Sequence, residues 1–306
     1  MTRFRSLAAA ALAATLALAA CGGGERPATN TAGGSPAADS RPLTIKGSDT
    51  MVILGQRFAE EYMKANPGAV VQVNGGGSGT GIAALINGTV DLAQASRAMK
   101  DEEKAQVTKN RNANVVETAV ALDSLAVFVH GSNPVQSLTI DQVKQVFQGT
   151  ITDWKDLGAP AGAIILYGRE SSSGTYDYFR EHVLAKEDFS PRVQTLQGTA
   201  AIINAVARDP RGIGYGGIAY AKDVRALAIG DGRSAPVAPS VETVAAGTYP
   251  LARNLYFYYL EGAPDRVTRF VEFALSPQAQ AIVSQVGYFP LPQAAPSAAP
   301  PSDGTQ

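Results

Sequence analysis

Three short turns carry the residue types that hold an anion. They read Gly47-Ser48-Asp49-Thr50, Gly75-Gly76-Gly77-Ser78-Gly79-Thr80-Gly81 and Arg169-Glu170-Ser171-Ser172-Ser173-Gly174-Thr175. Each follows an apolar, strand-like run and precedes a stretch with helical periodicity. The first turn of a helix leaves backbone N–H groups without intrahelical partners, and the helix dipole puts positive potential there. Small residues let a ligand approach those amides, and Ser and Thr hydroxyls add donors. The chemistry such a spot supports is the holding of a tetrahedral oxyanion. Three of them converging, with the two-pronged guanidinium of Arg169, make a closed anion cage. Ser and Thr before a helix also serve as caps, and one loop can do both jobs.

The elements that must position these turns are legible in the hydropathy pattern. Leu43-Thr44-Ile45-Lys46 reads as a strand, followed by a helix with apolar positions at Ile53, Leu54, Phe58 and Tyr62 and a stop at Asn66-Pro67-Gly68. Residues 69–73 and 90–96 read as further strands, with a helix on Ile82, Leu85 and Ile86 between them. Residues 118–129 form a long apolar strand that reads as the crossing into a second lobe. In that lobe residues 140–147 form a helix capped by Thr139, residues 164–167 a strand feeding Arg169, residues 199–207 a helix, and Ile213-Gly214-Tyr215-Gly216 a strand. Residues 251–258 are apolar and aromatic and read as the crossing back, before helices over 264–274 and 277–286. Alternating strand and helix units place ligand loops at strand C-termini. The fold class expected is therefore α/β, with a first lobe interrupted by a second and two hinge crossings near residues 119–123 and 249–254.

The N-terminus has the shape of a secretory signal: Arg3 and Arg5, an Ala/Leu run too short to span a membrane, then Leu18-Ala19-Ala20-Cys21. That last group resembles the bacterial lipoprotein box, which implies acylation of Cys21 and cleavage before it. Cys21 is the sole cysteine of 306 residues, so its lipidation leaves none for a disulfide, a metal or a thiol nucleophile. The expected divisions are residues 1–20 signal peptide, 21–42 tether, 43–120 and 250–292 the first lobe, 121–249 the second, and 293–306 a disordered tail. The formal net charge of −1, made more acidic by loss of Arg3 and Arg5, shows no basic cluster suited to nucleic acid. Fixed local dipoles can hold an anion on such a chain.

Nothing in the sequence supports catalysis. The Gly-rich turn does not give G-x-S-x-G, because Thr80 stands where the second glycine belongs, and no G-x-x-x-x-G-K-[ST] is present. His130 and His182 stand apart from any cluster with metal-ligand spacing. A cage without nucleophile, base, metal or cofactor binds but does not react.

Taken together, Ile45-Lys46-Gly47-Ser48-Asp49-Thr50-Met51, residues 75–82, Asn87-Gly88-Thr89-Val90-Asp91-Leu92, residues 141–154, residues 169–175 and Gly212-Ile213-Gly214-Tyr215 resemble the bacterial phosphate-binding proteins of phosphate ABC transporters, the PstS type. The resemblance implies a two-lobed periplasmic-binding-protein-like fold, each lobe a central mixed sheet flanked by helices, with phosphate between the lobes. It implies an extracytoplasmic, lipid-anchored monomer that passes inorganic phosphate to a permease and its ATPase. By position it assigns ligand contact to Thr50 with its neighbour Met51, and to Ser78, Arg169, Ser173, Gly174 and Thr175. The residues themselves add Ser48, Asp49 and Ser96 as candidate contacts, with Gly79, Thr80 and Ser172 in support. One position departs from the family pattern. Where many relatives end the third strand in Ala-Ser-Asp, with the aspartate on the ligand, this chain reads Ala95-Ser96-Arg97.

That departure matters because phosphate near neutral pH keeps a P–OH proton and sulfate does not. A carboxylate that accepts the proton recognises phosphate and repels sulfate. With Arg97 in the usual aspartate position, the role falls to Asp49 first and Asp123 second. Arg97 itself is expected either to contact the anion or to brace Asp49 or Glu170. The remaining alternatives are another tetrahedral oxyanion, such as sulfate or molybdate, phosphate sensing or adhesion without transport, and, least favoured, a secreted hydrolase.

Overall fold

The computed structural model describes residues 41–292; the proposed signal, Cys21, most of the tether and the tail 293–306 lie outside the described residues. β1 (Leu43–Gly47) leads through a 3-10 turn (Asp49–Met51) into α1 (Val52–Ala65). Then come β2 (Val71–Asn74), α2 (Ser78–Asn87), β3 (Leu92–Ala95) and α3 (Asp101–Arg111). β4 (Val115–His130) is the longest strand. It is followed by β5 (Ser137–Thr139), α4 (Ile140–Gln148), β6 (Ile165–Arg169), α5 (Gly174–His182), β7 (Gln194–Leu196), α6 (Thr199–Arg208) and β8 (Gly212–Gly217). β9 (Val224–Ala226), β10 (Ala228–Gly230) and α7 (Val241–Ala245) precede the return strand β11 (Ala252–Leu260) and helices α8 (Asp265–Leu275) and α9 (Pro277–Val286).

One path of strands, β2-β1-β3-β11-β4-β8-β6-β7, runs through both lobes, with β9 added beside β4. β1 pairs in parallel with β2 and β3, whereas β11 runs antiparallel to β3 and β4. β4 is the shared member. Its first part pairs with β11 as far as Ser124↔Ala252, and from Leu125 onward it pairs with β8. A separate two-stranded sheet joins β5 and β10. Mixed strand directions fit a fold in which the chain leaves one lobe and returns to it. No helix among the described residues is long and apolar enough to cross a membrane.

Each lobe has its own core. Leu43, Ile45, Leu54, Phe58, Phe257 and Phe270 pack together in the first, and Leu125, Val127, Phe147, Phe179, Ile213 and Tyr215 in the second. On α1, Leu54, Phe58 and Tyr62 recur every four residues and are buried, which is why that helix forms against the sheet. In α4 the Thr139 hydroxyl accepts the Gln142 N–H while the Gln142 side chain takes the Thr139 N–H. Gly149 then closes the helix in the left-handed conformation. Gly47 has φ 146°, and a Cβ there would stand 2.0 Å from the Gln94 carbonyl oxygen. Only glycine lets β1 turn into the first hydroxyl loop so close to β3.

Candidate oxyanion site

Five strand-to-helix turns deliver hydroxyls to one buried spot. Ser48 and Thr50 come from the end of β1, Ser78 from the start of α2, Ser96 from the end of β3, and Thr175 and Thr199 from the starts of α5 and α6. Thr50 Oγ1 and Thr175 Oγ1 are 2.9 Å apart, and Thr199 Oγ1 is 3.5 Å from Thr50 Oγ1. Ser48 Oγ donates to Ser96 Oγ at 2.9 Å, and the Ser96 N–H donates to Ser78 Oγ at 3.1 Å. Ser96 Oγ stands 3.5 Å from Thr175 Oγ1, so hydroxyls of both lobes form one connected cluster. Burying this many hydroxyls without partners is costly, and here they partner one another. Each can turn its proton toward a shared acceptor without breaking the protein around it.

The second-lobe loop works as a cap and as a site wall together. Ser173 Oγ accepts the N–H groups of Thr175 and Tyr176 at 3.1 and 3.3 Å, the capping role foreseen as the plain alternative. Gly174 presses against the first lobe, where a Cβ would meet Ser78 Oγ at 2.3 Å and Ser96 Oγ at 3.0 Å. Ser172 lies at the rim. Its carbonyl accepts the Gly79 N–H at 2.9 Å and its hydroxyl donates to the Gly76 carbonyl at 3.3 Å. Thr80 donates to the carbonyls of Gly76 and Gly77 and so stiffens the Gly-rich turn. Met51 is packed in the first-lobe core and reaches the cluster only through its backbone neighbours.

Arg169 is almost fully buried and spreads its guanidinium over three partners. Nη1 donates to Thr199 Oγ1 at 2.9 Å, Nη2 to Asp49 Oδ2 at 3.0 Å, and Nε and Nη2 to the Glu170 carboxylate at 3.0 and 2.7 Å. The surface-acid pairing and the cluster role are therefore both present in one side chain. Burial alone would raise the Glu170 carboxyl, but hydrogen bonds and charge from Arg169 outweigh it and hold the group below its ordinary value. Asp49 Oδ1 accepts the Gly76 N–H at 2.9 Å. With Glu170, Ser172 and Gly198 it lines a groove at the mouth rather than the floor of the cluster.

Two members were not foreseen. Arg253, on β11, donates from Nη2 to Thr175 Oγ1 at 3.0 Å. Its Nε and Nη2 also donate to Asp123 Oδ2 at 3.0 and 2.8 Å. Asp123 and Arg253 are both buried, and Asp123 Oδ1 also accepts the Ile218 N–H at 3.3 Å. Burial pushes the Asp123 carboxyl up, with Arg253 opposing. Thr199 is the other addition. Gln197-Gly198-Thr199 repeats the small-residue turn before a helix, so the signal was present but lay outside the longer motifs. Arg253 had no such signal, because it sits inside a strand read as apolar packing.

Arg97 corrects an expectation. It braces neither Asp49 nor Glu170. Its Nη1 and Nη2 donate to the two oxygens of Glu103 at 2.8 and 2.7 Å, Nη1 also reaches the Ala98 carbonyl, and Nε stands 2.8 Å from Asp177 Oδ2. These partners are two carboxylates and a backbone carbonyl, and no hydroxyl of the cluster is among them.

The family model of the PBP superfamily domain matches residues 28–278. The phosphate-binding protein PstS of Pseudomonas aeruginosa is 36% identical over 269 residues, covering 82% of this chain and 83% of the relative. The PstS of Staphylococcus haemolyticus is 30% identical, covering 96% of this chain and 94% of its own. Among solved structures, a Clostridium perfringens protein with bound phosphate superposes with a TM-score of 0.76 at 29% identity, over 82% of this chain and all of the other. An ABC-type phosphate transport receptor from Vibrio cholerae gives 0.65 at 28% identity, over 81% of this chain and 99% of its own. With two lobes joined through β4 and β11, and with these relatives matched over most of its length, the chain belongs to the PBP superfamily and, within it, to the family of the phosphate-binding proteins PstS.

Proposed function

We propose that this protein captures inorganic phosphate between its lobes and delivers it to a membrane permease driven by an ATPase. The observation that carries the reading is the meeting of Thr50, Ser78 and Ser96 of one lobe with Thr175, Thr199 and Arg169 of the other in one buried cluster. The guanidinium supplies donors only and each hydroxyl has a proton it can turn outward, so together they suit an anion with several equivalent oxygens. Phosphate bridging both lobes gives the closed form contacts that the open form lacks, and that difference in affinity drives closure. The hinge lies at residues 119–123 and 249–254, where β4 and β11 pass between the lobes. A permease that engages the closed form would receive the anion as the lobes part.

Selectivity for phosphate needs an acceptor for its proton. Asp123 fits better than Asp49, because it is buried beside Arg253 and shares that arginine's Nη2 with Thr175. Asp49 is committed at the mouth to Arg169 and the Gly76 N–H. The protein works outside the cytoplasm, held at the membrane by lipid on Cys21, as a monomeric binder without catalytic turnover.

Calorimetric titration with phosphate, sulfate and molybdate tests this reading. The expected result is one tight phosphate site per chain with sulfate and molybdate much weaker. Preference for sulfate or molybdate, or turnover of a phosphate monoester, would refute it.

A further inference from the structure

We propose that Arg97 is a closure latch, a positioning residue that sets the balance between open and closed lobes, and with it the residence time of the anion, without touching the anion. The proposal rests on the phosphate reading for its ligand but on the cluster around Arg97 for its geometry. Arg97 follows Ser96 at the end of β3 in the first lobe. Asp177 lies in the first turn of α5, in the second, and its carboxylate stands 2.8 Å from Arg97 Nε. Lys100 of the first lobe adds a second cation 3.5 Å from the same oxygen.

Three features make this pair a latch rather than an incidental surface bridge. Arg97 is only 8% exposed, so the attraction is screened far less than between solvated charges. Glu103 grips the other two guanidinium nitrogens from within the first lobe, so the fork is already oriented when Asp177 arrives and little side-chain freedom is lost on closure. Asp177 also belongs to the helix whose first turn presents Ser173, Gly174 and Thr175, and its N–H bonds to the Ser173 carbonyl at 3.1 Å. A pull on Asp177 therefore draws the whole second-lobe loop onto Ser78 and Ser96. The ion pair of Asp49 with Arg169 also spans the lobes but uses a guanidinium of the site itself, whereas the side chains of Arg97 and Asp177 pair with Glu103, Lys100 and each other.

The arrangement also makes the test clean. Removing the Asp177 charge leaves Arg97 paired with Glu103, so no buried charge is stranded. Asp177→Asn is expected to raise the dissociation rate of radiolabelled phosphate, chased with unlabelled phosphate, by about three- to tenfold with the association rate unchanged. Small-angle scattering of the phosphate-free protein is expected to show a larger radius of gyration in Asp177→Asn, and Asp177→Glu is expected to move both readouts back toward the parent. An unchanged dissociation rate together with an unchanged phosphate-free radius would overturn the latch, as would a loss of affinity carried by the association rate alone. The scattering comparison needs no phosphate, so it judges the latch even if the parent protein fails to bind that anion.

Discussion

Thr50 Oγ1 and Thr175 Oγ1 lie 2.9 Å apart, although 125 positions of chain separate them. Thr50 is fixed from behind by the Tyr288 hydroxyl, which donates to its carbonyl at 2.5 Å. Thr175 is fixed by Arg253, which donates to its hydroxyl. Two supports from the returning part of the chain, Tyr288 behind Thr50 and Arg253 beside Thr175, thus hold two hydroxyls of opposite lobes at hydrogen-bonding distance. A device that closes on a small anion requires such a meeting point, because donors held in place lose little freedom when the ligand arrives.

Replacing Thr175 by Val keeps the shape and removes the hydroxyl that meets Thr50, Ser96 and Arg253. A hydrogen bond to a charged group is worth about 1.5–3 kcal/mol, so phosphate affinity is expected to fall by roughly ten- to a hundredfold. Calorimetry reads this directly. The melting temperature is expected to fall only slightly, since Arg253 keeps Asp123.

Gly174→Ala tests closure by volume. Gly174 is helical and outside the positive-φ group, so alanine imposes no backbone strain. Its methyl would collide with Ser78 Oγ and Ser96 Oγ of the opposing lobe. The variant is expected to melt like the parent, to lose about tenfold or more in phosphate affinity, and to keep an enlarged radius of gyration when phosphate is added.

Asp123→Asn and Asp49→Asn separate the two candidates for the phosphate proton. The expected outcome is that Asp123→Asn weakens phosphate far more than sulfate, while Asp49→Asn weakens both alike by loosening Arg169. Competition titrations against both anions check this. The reverse pattern would return the role to Asp49.

Acid should loosen the fold through Glu103 as well as Glu170. Burial raises the Glu103 carboxyl, but hydrogen bonds from Arg97 and the Lys100 N–H, with the charges of both residues, bring it below its ordinary value. A carboxyl lowered in the folded state contributes stability that is complete above its unfolded value, near about 4.3, and is lost as pH falls through the folded value. The melting temperature is expected to hold down to about pH 5 and to fall below about pH 4. In Glu103→Gln it should start lower and fall less steeply over that range.

Much of the site was legible because it is built from local signals. A strand, a small-residue turn and a helix are read from period and composition, and Ser78, Ser173 and Thr175 stand in such turns. The apolar run predicts a strand over residues 118–129, and the strand spans Val115–His130; its first residues are only partly buried and so break the apolar pattern. α3 gave no periodic signal, because Val107 is its only buried residue and its other positions are polar. Arg253 and the partners of Arg97 were hidden for a different reason. Both depend on which residues meet across elements distant in sequence, Arg253 with Asp123 and Arg97 with Asp177, and no local pattern encodes that choice.

The central claim is that hydroxyls of both lobes enclose one phosphate. A crystal structure of the protein grown with phosphate tests it most directly. The account predicts a phosphate within hydrogen-bonding distance of Thr50, Ser78, Ser96 and Thr175 together, with Arg169 on one side. Phosphate held by one lobe only, or bound elsewhere while these hydroxyls keep bonding to one another, would contradict it.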